Sequence, residues 1–181
     1  KDHFMTISPD EGSMNRAIYL ANVLGVDMGM YYKRLDYSRY VNGRHPIAAY
    51  EFLGPKIEGK DMILIDDMIS SGDTIIKIAS LLKEKGAGRV YICSTFGFFT
   101  DGLDKFDDAY KKGYFDKLLT TNLVYQSPEL LEKPYYISCD MSKYIALIID
   151  TLNHDTSVSH LLNPVDRIKR CVTNYMSQHE K

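Results

Sequence analysis

Cysteine is scarce in this chain of 181 residues: Cys93, Cys139 and Cys171 are odd in number, widely spaced and never in a Cys-x-x-Cys pair. That argues against a disulfide framework and a structural zinc site, and it suits a reducing cytoplasm. Cys93 and Cys139 lie in apolar strand contexts, where a free thiol serves as a small hydrophobe. The five histidines have no metal-ligand spacing, so His45 and His160 are assigned no metal. No apolar run approaches the ~18 residues of a membrane span, and no membrane partner is expected. The net charge of −2, with Lys and Arg dispersed apart from Arg167 to Arg170, gives nucleic acid no footprint. Repeats, low-complexity segments and any Ser-His or Cys-His constellation are missing as well. What remains is 45% hydrophobic and 25% charged, ordinary for a soluble protein, and of a length that suits one folded domain with appendages.

Periodicity predicts strands over 4–7, 28–32, 62–65, 91–94, 117–121 and 135–138, and helices over 14–24, 74–85, 103–111 and 141–153. Such alternation implies an α/β fold, a mainly parallel sheet with helices on both faces. Residues 33–55 form too long a polar connection for such a domain, where most run ~4–6 residues, so this segment reads as a mobile lid or disordered. It carries Lys33, Arg34, Arg39 and Arg44. A linker rich in Asp, Ser, Thr and Asn covers 153–163, and beyond Pro164 the residues Val165, Ile168, Val172 and Met176 recur at helical spacing. The expected organisation is a domain over 1–162 and a C-terminal amphipathic helix over 163–181.

The most informative stretch is Ile63-Leu64-Ile65-Asp66-Asp67-Met68-Ile69-Ser70-Ser71-Gly72-Asp73-Thr74. A buried strand runs into two adjacent carboxylates and then into a small-residue loop that opens a helix. In open α/β sheets that edge binds ligands, and the helix start offers free N–H groups and a positive dipole end to an anion. Ser71 and Thr74 add hydroxyl donors, Gly72 permits close backbone approach, and the carboxylates can take sugar hydroxyls or a divalent cation. The same residue types also serve in plain turns and helix caps.

Residues 66–74 resemble the phosphoribosyl pyrophosphate loop of type I phosphoribosyltransferases and of ribose-phosphate pyrophosphokinases. Ile7-Ser8-Pro9-Asp10-Glu11-Gly12-Ser13-Met14-Asn15-Arg16-Ala17 and Ser157-Val158-Ser159-His160-Leu161-Leu162 are similar to two segments of the pyrophosphokinase family that transferases do not usually carry together. With Gly86 to Tyr91, Thr95-Phe96-Gly97 and Thr120-Thr121-Asn122 in family order, the resemblance runs from Ile7 to about Leu162, to the C-terminal half of that enzyme. Four positions depart from the family pattern: Leu35 at the second basic position after Lys33, Ser70 for a third Asp, Asp73 for Gly and Phe96 for His.

The resemblance implies transfer of diphosphate from ATP to C1 of ribose 5-phosphate. It puts the 5-phosphate and ribose on Asp66, Asp67, Ser70, Ser71, Gly72, Asp73 and Thr74, and the transferred diphosphate on Asp10, Glu11, Gly12 and Ser13. In the same reading Lys33 and a neighbouring arginine, Arg34 or Arg39, would be the catalytic cations, and Mg2+ would be held by Asp10, Asp66 and Asp67. Ser157, Val158 and Ser159 would correspond to part of the family's regulatory anion site between subunits of a cytoplasmic homo-oligomer, whereas Asp155 to Ser159 taken alone read equally as a polar turn leading to the tail. The chain opens at Lys1 without Met or a signal sequence and runs directly into a strand, as expected of a piece cut from something longer. A preceding domain would then hold most ATP-binding groups, leaving this chain inactive alone. A phosphoribosyltransferase, or a non-catalytic regulatory homologue that binds phosphoribosyl pyrophosphate, remains open.

Overall fold

In the computed structural model, which describes residues 3–41, 43 and 45–179, alternation along β1 (Phe4–Ser8) sets the layers of the sheet. Met5 and Ile7 are fully buried in a cluster with Ile78, Ala79 and Leu82 of α2 (Asp73–Glu84). Thr6, between them, instead donates its hydroxyl to the Ala17 carbonyl of α1 (Met14–Leu24) at 3.1 Å. Successive strand residues face opposite sides, so helices cover both faces of this sheet.

The remaining elements of the first compact unit, residues 1–139, are β2 (Asp27–Leu35), β3 (Ile47–Leu53), β4 (Asp61–Ile69), β5 (Val90–Gly97), α3 (Asp104–Lys111), β6 (Lys117–Thr121), α4 (Pro128–Leu131) and β7 (Tyr136–Cys139). The strand order is β3-β2-β1-β4-β5-β6-β7, and every pair is parallel except β2 with β3. From β1 the chain moves through α1 to β2 on one side, and from β4 it moves through α2 to β5 on the other. The switch point therefore lies between β1 and β4.

The mainly parallel α/β sheet agrees with the sequence pattern; residues 33–55 do not. β2 continues to Leu35, and Ile47 to Leu53 pair with it antiparallel, Lys33 opposite Tyr50 and Tyr31 opposite Phe52. The expected lid shrinks to the connection 36–46, within which Arg44 lies outside the described residues. The cause is packing. Gly29 and Gly54 leave a slot for the Phe52 ring: a Cβ at either position would approach it within 3 Å. Fully buried Tyr31 lies 5.4 Å from that ring, centroid to centroid. The short helix α4 was also not anticipated; Ser127 caps it, accepting from the Leu130 N–H at 3.2 Å.

The second compact unit, residues 140–181, contains α5 (Ser142–Asn153), α6 (Ser159–Leu162) and α7 (Val165–His179), so a helical turn interrupts the expected linker. Within it the Tyr144 hydroxyl and the Arg167 guanidinium both donate to the Leu161 carbonyl at 2.7 Å, and Arg167 lies over the Tyr144 ring at 5.3 Å. Among the described residues no helix is long and apolar enough to cross a membrane.

Candidate functional site

Neighbouring strands whose connections leave in opposite directions open a crevice beyond their carboxyl ends. At the end of β1 and β4 that crevice is a pocket of about 150 Å³ lined by Asp10, Asp66 and residues 68–75. β4 extends further than the sequence pattern indicated. Asp66 pairs with Ser94, Met68 with Phe96 and Ile69 with Gly97, so both carboxylates belong to the strand and the loop proper is only Ser70 to Gly72. The loop is stitched to the chain after β5: the Phe98 N–H donates to Ile69 O at 2.8 Å and the Thr100 N–H to Ser70 O at 3.1 Å.

Gly72 is required here twice over. Its φ is +86°, and a Cβ would fall 2.2 Å from the buried Phe106 ring of α3. As the residue before α2 it has no side chain to cap the helix; the Asp73 N–H donates to Ser71 Oγ at 3.4 Å, and the amides that follow it are offered to water or a ligand.

Burial lifts the Asp66 carboxyl above its usual range, and the charge of Asp10 adds to the lift. Opposing it, the Ser13 hydroxyl donates to Asp66 Oδ1 at 2.6 Å and the Asp67 N–H donates to the same oxygen at 2.9 Å. Lys33 Nζ stands 2.9 Å from Asp10 Oδ2, so an ordered strand, not a lid, delivers this ammonium to the site. The other oxygen of Asp10 accepts the Gly12 N–H at 3.1 Å.

The structure gathers the remaining expected residues unequally. Ser70, Ser71, Gly72, Asp73 and Thr74 line the pocket with Asp10 and Asp66; Asp67, Glu11, Gly12 and Ser13 do not. Asp67 instead meets the Arg16 guanidinium at 3.5 Å. Ser13 is buried with its hydroxyl spent on Asp66. Arg34, one residue on from Lys33 and so on the other face of β2, is not brought to the pocket; it pairs with Glu51 at 2.7 Å. In the second unit the Ser157 hydroxyl donates to Ser159 Oγ at 2.9 Å and accepts the Ser159 N–H at 3.3 Å; Val158 precedes α6. Cys93 fits its expected role as a hydrophobe, since burial pushes its thiol up to about 12.

Among the described residues no three His, Cys, Asp or Glu side chains are grouped closely enough to hold a metal. Three carboxylate residues line the pocket, and two of them, Asp10 and Asp66, stand together at the strand ends, an arrangement that suits magnesium when substrate phosphates and water complete its shell. Sequence reasoning missed Met68, Ile69 and Ile75 in the lining, the Arg16–Asp67 pair and Lys105, which reaches Asp73 from α3. Arg16 stood inside a recognised segment, whereas Lys105 carried no local signal.

A family model, the phosphoribosyl synthetase-associated domain, matches residues 44–163. A ribose-phosphate pyrophosphokinase of Vibrio parahaemolyticus is 29% identical over 163 residues, 90% of this chain and 49% of the relative. One from Thermococcus kodakarensis is 31% identical over 121 residues, 66% of this chain and 39% of the relative. The chain thus spans about half the length of the curated relatives it matches. The phosphoribosylpyrophosphate synthetase of Mycobacterium smegmatis has the same fold, with a TM-score of 0.70 at 23% identity over 85% of this chain and 46% of that one.

Proposed function

The chain belongs to the phosphoribosyl synthetase-associated domain family, and on that premise we propose that it is the ribose 5-phosphate side of a ribose-phosphate diphosphokinase. The observation that carries the reading is the pocket at the β1/β4 switch point, where two carboxylates from adjacent strand ends face a glycine-hinged helix start.

In this reading the 5-phosphate rests on Ser71, Gly72 and Thr74, and Asp66 orients the ribose hydroxyls. The 1-hydroxyl attacks the β-phosphorus of ATP, the bond to the α-phosphate oxygen breaks, AMP leaves and phosphoribosyl pyrophosphate forms. Lys33, drawn to the site by Asp10, neutralises charge on the transferring group. Magnesium held by Asp10 and Asp66 together with phosphate oxygens supplies further neutralisation when bound. Phosphoryl transfer is largely positioning and electrostatics, so no covalent nucleophile is required. Most ATP groups are assigned to a domain outside this chain, which makes the chain a binding half that does not turn over alone. Cytoplasmic placement and assembly of like subunits belong to the same proposal.

A phosphorus NMR time course with Mg-ATP and ribose 5-phosphate tests it. The expected result is a perturbed sugar-phosphate signal without new phosphoribosyl pyrophosphate. Product would refute the binding-half reading, and an unperturbed signal would refute the phosphate loop.

A further inference from the structure

Asp73 puts a carboxylate into the first turn of α2, in the loop assigned to the 5-phosphate. A negative charge there suits the helix dipole, but it opposes a second anion at the same helix start. Its two oxygens are both engaged. Oδ2 accepts the Ser71 hydroxyl at 2.9 Å, so one of the loop's donors is already turned to the loop's own carboxylate. Oδ1 receives Lys105 Nζ at 2.7 Å.

Lys105 reaches this place from α3, and α3 is anchored against the loop by the next residue, Phe106, whose buried ring lies beneath Gly72. Its ammonium is steadied by Asp101 Oδ2 at 3.1 Å, while the other oxygen of Asp101 accepts the Thr100 hydroxyl at 3.2 Å. The bond from Lys105, followed by that from Ser71, holds the Asp73 carboxyl below its usual range. An ion pair this open to water stabilises a fold very little, so its placement calls for another account.

We propose that Lys105 is a positioning residue for the bound phosphate: it neutralises Asp73 and draws that carboxylate towards α3, so that the Ser71 hydroxyl and the first amides of α2 can turn to the anion. The inference rests on the phosphate-loop reading above and extends it to a residue outside the loop.

The test is a titration of the whole chain with ribose 5-phosphate, followed by calorimetry and by amide shifts at Ser71, Gly72, Asp73 and Thr74. Lys105→Met is expected to weaken binding about tenfold, equivalent to about 1.4 kcal/mol. Lys105→Arg keeps the charge and should restore most of the affinity. Asp73→Asn should tighten binding, and in the Asp73→Asn background Lys105→Met should have almost no effect, a coupling that a purely structural role would not produce. Unchanged affinity in Lys105→Met, or an equal loss with and without Asp73, would overturn the inference while leaving the loop assignment standing. Absence of any shift at the four amides in the unmutated protein would overturn both.

Discussion

The turns at 70–72 and 157–159 are both short, rich in hydroxyls and followed at once or nearly so by a helix, but they are held differently. The first has inward bonds, with the Ser71 hydroxyl donating to Asp73 Oδ2 at 2.9 Å and accepting the Asp73 N–H at 3.4 Å, but it is also fixed from outside, by the Phe106 ring under Gly72 and by amides at 98 and 100 bonding to Ile69 and Ser70, and it opens a 12-residue helix. The second bonds inwardly, with Ser157 and Ser159 satisfying each other and His160 Nδ1 lying 3.1 Å from the Ser157 carbonyl, and it opens a helix of four residues. Small polar residues before a helix are thus only the material of an anion site. External support fixes where the loop stands, and a long enough helix gives the terminus its field.

The sharpest way to break this contrast is to fill the hinge of the supported turn. Gly72→Ala forces a side chain into the Phe106 ring at positive φ; overpacking and left-handed strain together should cost about 3 kcal/mol, read from urea unfolding. Next comes Asp66→Asn, expected to weaken ribose 5-phosphate about tenfold by calorimetry, since a charge-assisted acceptor is lost. Ser13→Ala should raise the already elevated Asp66 carboxyl further, because the lost hydrogen bond favoured the charged form; carbon-13 carboxyl titration measures it. For this group the folded state holds its proton more tightly. Its contribution to stability is therefore complete below the ordinary carboxylate range and lost as pH rises through the elevated value. Asp73 behaves oppositely: lowered by Lys105, it stabilises above the ordinary range and ceases to do so as pH falls through its folded value. The smallest effect belongs to the other turn. Ser157→Ala should change stability by less than about 0.5 kcal/mol and leave ribose 5-phosphate affinity untouched.

Local patterns made most of the sheet legible. The helix over 14–24 and the strand over 117–121 have the predicted bounds, because each pairs clean periodicity with clear flanking signals. The apolar stretch Ile47 to Leu53 was hidden inside a segment judged by its charges; its ordering depends on two glycines 25 positions apart, Gly29 and Gly54, that make room for one ring. At the site, Asp10, Asp66 and residues 70–74 were legible as contiguous motifs. The direction of Arg34 was not, since it follows from a strand that a loop had replaced. Lys105 was out of reach for a further reason: only the packing of Phe106 against Gly72 brings α3 to the loop.

The antiparallel pairing of β2 with β3 also bears on how the chain reaches this arrangement. Leu35 meets Ile47 only 12 positions on, whereas Phe4 must find Asp61, 57 positions away, before the switch-point crevice exists. Closing the longer loop is little more than two doublings dearer in chain entropy, about 1.4 kcal/mol. The edge hairpin bearing Lys33 is therefore favoured about tenfold by closure alone, and the slow search that limits the folding rate falls to the central parallel strands that carry the carboxylates.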